Sequence, residues 1–173
     1  MRHKFAFADS YSAPLARALR GASPEQCREI AKLALARVPK YLIGSLPSEV
    51  REAFDAFQDD RVPQRGLTEK MWAHENRYMV MSDEADDRGD EALAKEYYGI
   101  RSVCGALAPL VSGPVLLPKH VDQCLYQLVD IMDGDYKRDL EGFVAQSGGR
   151  AGRHGLMAIN QLVQKLAGFF GQP

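Results

Sequence analysis

The chain has 173 residues, 46% of them hydrophobic and 26% charged, and a formal net charge of −1. That is ordinary globular composition for about one domain, which excludes global disorder. The near-zero charge balance excludes a nucleic-acid binder carried by bulk positive charge.

The apolar stretch at residues 5–8 stops at Asp9, short of the ~7–15 residues a secretory signal needs. Gly105 to Leu117 is interrupted by Pro109, Ser112, Gly113 and Pro114, and falls short of the ~20 apolar residues that span a bilayer. Cys27, Cys104 and Cys124 are an odd number with no CxxC pair, the pattern of reduced thiols packed as small apolar groups. These features predict a cytoplasmic protein with no membrane contact.

The punctuation is helical throughout. Ser12 and Pro14 open a short helix that Gly21 closes. Ser23-Pro24-Glu25-Gln26 is a full capping box with proline at the first helical position. The helix it starts carries Cys27, Ile30, Ala31, Ala34 and Val38 on one face until Pro39 kinks or ends it. Ser45 or Ser48 starts the next, with Val50, Ala53, Phe54 and Phe57 in a buried stripe. After a polar loop at 59–66, Thr68 is predicted to cap a long helix to about Arg88, ended by Gly89. Asp90 caps another at once, running through Tyr97, Ile100, Cys104 and Leu107 to Pro109. So short a link makes these two helices antiparallel neighbours. Pro118 opens a helix striped by Val121, Leu125, Leu128, Val129 and Met132, which Gly134 ends. A weaker helix around Leu140, Phe143 and Val144, a Gly148–Gly155 loop and a last helix from Leu156 to Phe170 follow. With no two-residue alternation and no solenoid repeat, the prediction is one all-α domain over 1–173, a bundle of six to eight helices. The clearest internal break is 111–117.

Charge is unevenly placed: net +5 over residues 1–44, −7 over 45–99 and +1 over 100–173. The densest acidic run is Asp83, Glu84, Asp86, Asp87, Asp90 and Glu91, across the tip of the predicted hairpin. Asp90 and Glu91 suit the first turn of a helix, whereas Asp83 to Asp87 oppose the dipole of a last turn. The run is read either as a solvated tip or as a patch that meets a basic partner. Met71, Trp72, Tyr78, Met79, Val80 and Met81 spread around the long helix more than one buried face requires. Trp72 and the consecutive Tyr97 and Tyr98 are therefore read either as core packing or as candidates for an interface.

Enzymatic motifs do not assemble. His74-Glu75 has Tyr78 where a zincin carries its second histidine. His120 and Cys124 share a helix face, but zinc needs three or four ligands and no second pair is visible. Asp130, Asp133, Asp135 and Asp139 fail the order of a calcium loop. No metal, cofactor or catalytic residue is therefore assigned, and the chain is not read as an enzyme. The one segment with ligand-binding character is the Gly148–Gly155 loop. Its Arg150, Arg153 and His154 offer donors to an anion ahead of a helix, though it lacks both nucleotide fingerprints, and its glycines equally suit a flexible linker between the last two helices.

At Leu35-Ala36-Arg37-Val38-Pro39-Lys40-Tyr41-Leu42, Pro47-Ser48-Glu49-Val50-Arg51-Glu52-Ala53-Phe54 and Tyr98-Gly99-Ile100-Arg101-Ser102-Val103-Cys104-Gly105-Ala106-Leu107, the chain resembles small all-helical bacterial immunity proteins. That resemblance, spanning about residues 12–112, implies a cytosolic protein that binds one cognate toxin domain and performs no chemistry. Its interface is then expected at Asp83, Glu84, Asp86, Asp87, Asp90 and Glu91, with Trp72, Tyr97 and Tyr98 beside them. No direct contact with nucleic acid is expected. A small helical enzyme or regulator holding an anionic ligand through Arg150, Arg153 and His154 is the alternative.

Overall fold

The computed structural model describes residues 7–62, 64–132 and the separate positions 138, 141, 142 and 145. The described residues form eight helices and no strand: α1 (Ala8–Tyr11), α2 (Ala13–Gly21), α3 (Pro24–Leu35), α4 (Lys40–Ser45), α5 (Ser48–Gln58), α6 (Leu67–Asp87), α7 (Glu91–Leu110) and α8 (Pro118–Leu128). The protein is all-α.

Local chemistry starts several of these as expected. The Ser12 side chain accepts from the Leu15 N–H at the head of α2. Ser23 and Gln26 close the capping box of α3 reciprocally, which satisfies two of the amide groups a helix start leaves orphaned. α5 buries Val50, Ala53, Phe54 and Phe57, the stripe its spacing predicts. α8 likewise buries Val121, Cys124, Leu125 and Leu128, whereas Val129 and Met132 lie past its end, packed on the core edge.

The start of α6 differs from expectation. The helix begins at Leu67 behind Gly66, which takes a left-handed φ of 80°. Thr68 is thus inside the first turn, and its hydroxyl donates to the Ala108 carbonyl at 3.3 Å. It ties the head of α6 to the tail of α7 instead of capping its own helix.

The core is one continuous cluster running from Phe7 to Leu128. Val111 and Leu116, inside the 111–117 segment, are buried in it. α7 is its axis: from Gly99 onward every residue except Arg101 is buried, with α6 and α8 along its flanks and α4 and α5 against it. Small residues permit that density. A Cβ on Gly99 would stand 2.8 Å from both Leu42 methyls, and Leu42 is itself fully buried. Overpacking there costs about 1–3 kcal/mol, against roughly 0.5–1 gained by removing a mid-helix glycine. Gly99→Ala is therefore expected to lower stability by about 1 kcal/mol in urea denaturation, the reverse of the usual glycine-to-alanine effect in a helix. No helix among the described residues is long and apolar enough to cross a membrane.

Candidate functional site

The α6–α7 pair continues well past the core. Of the 21 residues of α6 only Leu67, Met71, Ser82 and Ala85 are buried, so beyond Met71 the helix buries only two small residues. Ser82 seals that seam by donating its hydroxyl to the Ala94 carbonyl of α7 at 3.0 Å. At the tip Gly89 takes φ 74°, and the Asp90 amide returns to the Ala85 carbonyl at 2.9 Å. Asp90 then caps α7 through its carboxylate, which accepts from the Leu93 N–H at 3.1 Å.

Asp83, Glu84, Asp86, Asp87, Asp90 and Glu91 are all exposed on this tip. Apart from the Asp90 cap, none of them has an ion-pair or hydrogen-bond partner among the described side chains. Elsewhere carboxylates are engaged: Asp60 takes both Arg28 and Lys32, and Glu49 takes Lys70 and His74. Those two donors, Lys70 first, hold the Glu49 carboxyl below the usual range.

The aromatic candidates separate. Trp72 is half-buried against the core and lies some fifteen residues, about 22 Å of helix, from Asp87. Tyr97 is turned into the α6–α7 seam, its ring 5.7 Å from that of Tyr78. Tyr98 is exposed at 37%; its hydroxyl donates to Asp130 at 3.1 Å and the Arg101 guanidinium sits 5.8 Å over its ring. The large apolar side chains that α6 leaves exposed are instead Met79 and Val80, 36% and 52% exposed. They lie in the apolar stretch the sequence marks, but its aromatics drew the prediction away from them. Arg150, Arg153 and His154 lie outside the described residues.

Two polar arrangements have no sequence signature. Asp122 on α8 is buried, and its carboxylate accepts from the Ala8 N–H at 2.8 Å and the Phe7 N–H at 3.3 Å. It lines an open notch of about 330 Å³ with Phe7, Ser10, Gln123 and Tyr126, but both its oxygens are already committed. At the second, Glu75 of α6 and Gln127 of α8 meet at 3.5 Å across α7. A Cβ on Gly105 would stand 2.9 Å from each of those side chains.

The thiols are set for packing. All three are buried and unpaired, and burial pushes Cys27 up to about 11 and Cys104 up to about 12. Neither forms the thiolate that nucleophilic chemistry requires near neutral pH. The His120 imidazole accepts from the Leu117 N–H through Nδ1 at 3.3 Å; its proton affinity is lowered by burial and then by Lys119.

No protein-family model, no curated protein and no solved structure matches this chain.

Proposed function

We propose that this chain is a binding protein that neutralises a cognate bacterial toxin in the cytoplasm by covering its active site, and that the acidic end of the α6–α7 hairpin is the surface that meets it. One observation carries the reading. Glu84, Asp86 and Asp87 occupy the last turn of α6, which holds no basic residue, where carboxylates oppose the helix dipole. They therefore cost the fold stability and receive nothing from it, the trade expected of residues kept for contact with a partner. Toxins acting on nucleic acid carry basic sites, and an unpaired acidic tip both speeds encounter with such a site and fixes orientation. Met79 and Val80, one turn nearer the core, supply apolar area to desolvate beside it.

The test is the triple charge reversal Asp83→Lys, Asp86→Lys, Asp87→Lys. Full-length wild-type bait is expected to capture a basic protein from the source cell, identified by mass spectrometry. The reversed bait is expected to bind that protein at least about 10-fold more weakly at low salt. The same variant should melt at or above the wild-type temperature, because lysines in a last turn favour the dipole. Unchanged affinity at low salt overturns the assignment of this surface, and an isolated partner with no toxic activity overturns the toxin reading.

A further inference from the structure

α6 and α8 both lie along α7, and over Gly105 their side chains meet. Glu75 Oε1 and the Gln127 side chain can rest on the α7 backbone there only because position 105 carries no Cβ. Glu75 is half-buried, and the single donor it finds among the described residues is the Gln127 amide at 3.5 Å, the outer limit of a hydrogen bond. A carboxylate partly withdrawn from water with one long donor is undercompensated. The neutral acid is not, since it has no charge to desolvate and can still accept from the amide.

We propose that this junction is a protonation-coupled clamp, in which neutral Glu75 seats against Gln127 and ties α6 to α8, and ionised Glu75 loosens the same contact. The charged and titratable groups facing Glu75 come from α7. Arg101 favours the ionised form, and Cys104 stays a neutral thiol. α8 contributes only the uncharged Gln127. On α6 itself, His74 is turned away to Glu49 on the α5 side, and the Tyr78 hydroxyl is held neutral by burial. Burial outweighs Arg101, so the Glu75 carboxyl lies above its ordinary value of 4.5. With the folded-state value raised, the folded chain holds the proton more tightly than the unfolded one. Stability is then gained as pH falls through the folded value toward the ordinary one, and lost as pH rises through it. Glu49, whose carboxyl is lowered, runs the other way and keeps its hold on α6 until pH drops below the ordinary range. Mild acid thus tightens the α8 side of the hairpin helix without releasing the α5 side.

The test uses the full chain. NMR titration of the Glu75 carboxyl carbon is expected to report a value above the ordinary one, and Gly105→Ala, which displaces Glu75 toward water, to return it there. Glu75→Gln is expected to melt about 2–3 °C above wild type near pH 7.5 and to lose that advantage as pH falls to the ordinary carboxyl value of 4.5, the difference between the two proteins cancelling every other titrating group. A Glu75 carboxyl titrating at or below the ordinary value overturns the clamp. So does an offset between Glu75→Gln and wild type that is the same at both pH values. Neither reading depends on a partner or on the Gly105 variant folding.

Discussion

Replacing Leu107 with alanine is expected to cost about 3–4 kcal/mol. Leu107 is completely inaccessible to solvent and sits in the most deeply buried part of α7, the helix flanked by both α6 and α8. The cost has two parts: the transfer free energy of the deleted carbons, and the cavity that neighbouring helices cannot close. Collapse is resisted here because the adjacent α7 positions are already small, with Gly105, Ala106 and Ala108 all buried and no long side chain among them to swing inward. For a chain of this size the loss corresponds to a fall in Tm of roughly 6–16 °C, read by thermal and urea denaturation. Val80→Ala is the control, since a half-exposed valine on the outer face of α6 should change stability by less than about 0.5 kcal/mol. A Leu107→Ala loss no larger than that of the control would mean that α7 is not the axis of the core.

Asp122→Ala is expected to cost about 2–3 kcal/mol. α1 has no cap of its own, because its N-cap residue is Phe7, whose side chain offers no acceptor. The Phe7 and Ala8 amides are satisfied instead by a carboxylate more than a hundred residues further along the chain. Truncation removes two charge-assisted bonds and leaves two buried N–H groups unpaired, which is worse than never having made the bonds. Asp122→Asn keeps one acceptor oxygen and is expected to recover about half of the loss. Urea denaturation measures the cost, and faster amide exchange at Phe7 and Ala8 locates it. Unaltered exchange at those two amides would show that the α1 segment is held by other means, such as the stacking of Phe7 on Tyr11, 4.7 Å apart.

Much of the helical plan was legible in the residues because its determinants are local. Ser12, Ser23 with Gln26, and Asp90 each act within three positions of themselves, and the apolar stripes of α5 and α8 repeat at the helical period. α4 was not legible. Six residues between Pro39 and Leu46 are too few to show periodicity, and no side-chain cap starts it. It is held from outside, by Leu42 seated over Gly99 and by the Arg51 guanidinium donating to the Gly44 and Leu46 carbonyls. Thr68 misled for a related reason: its hydroxyl donates to a carbonyl forty residues away instead of accepting from an amide of its own helix.

The candidate surface divides the same way. The acidic run and its position at a hairpin tip follow from composition and the Gly89-Asp90 break alone. Which apolar side chains stand beside it does not, because rotation about a helix axis is set by what the helix packs on. The seam with α7 took Tyr97 and Tyr78 inward and left Met79 and Val80 outside. By itself, then, the sequence determined the all-α class, the helix starts governed by neighbouring residues and the concentration of negative charge at one turn. Only the tertiary structure decided the Asp122 cap of α1, the meeting of Glu75 with Gln127 over Gly105 and the outward face of α6. Those depend on contacts between residues far apart in the chain, and their partners are chosen by three-dimensional packing that no local pattern encodes.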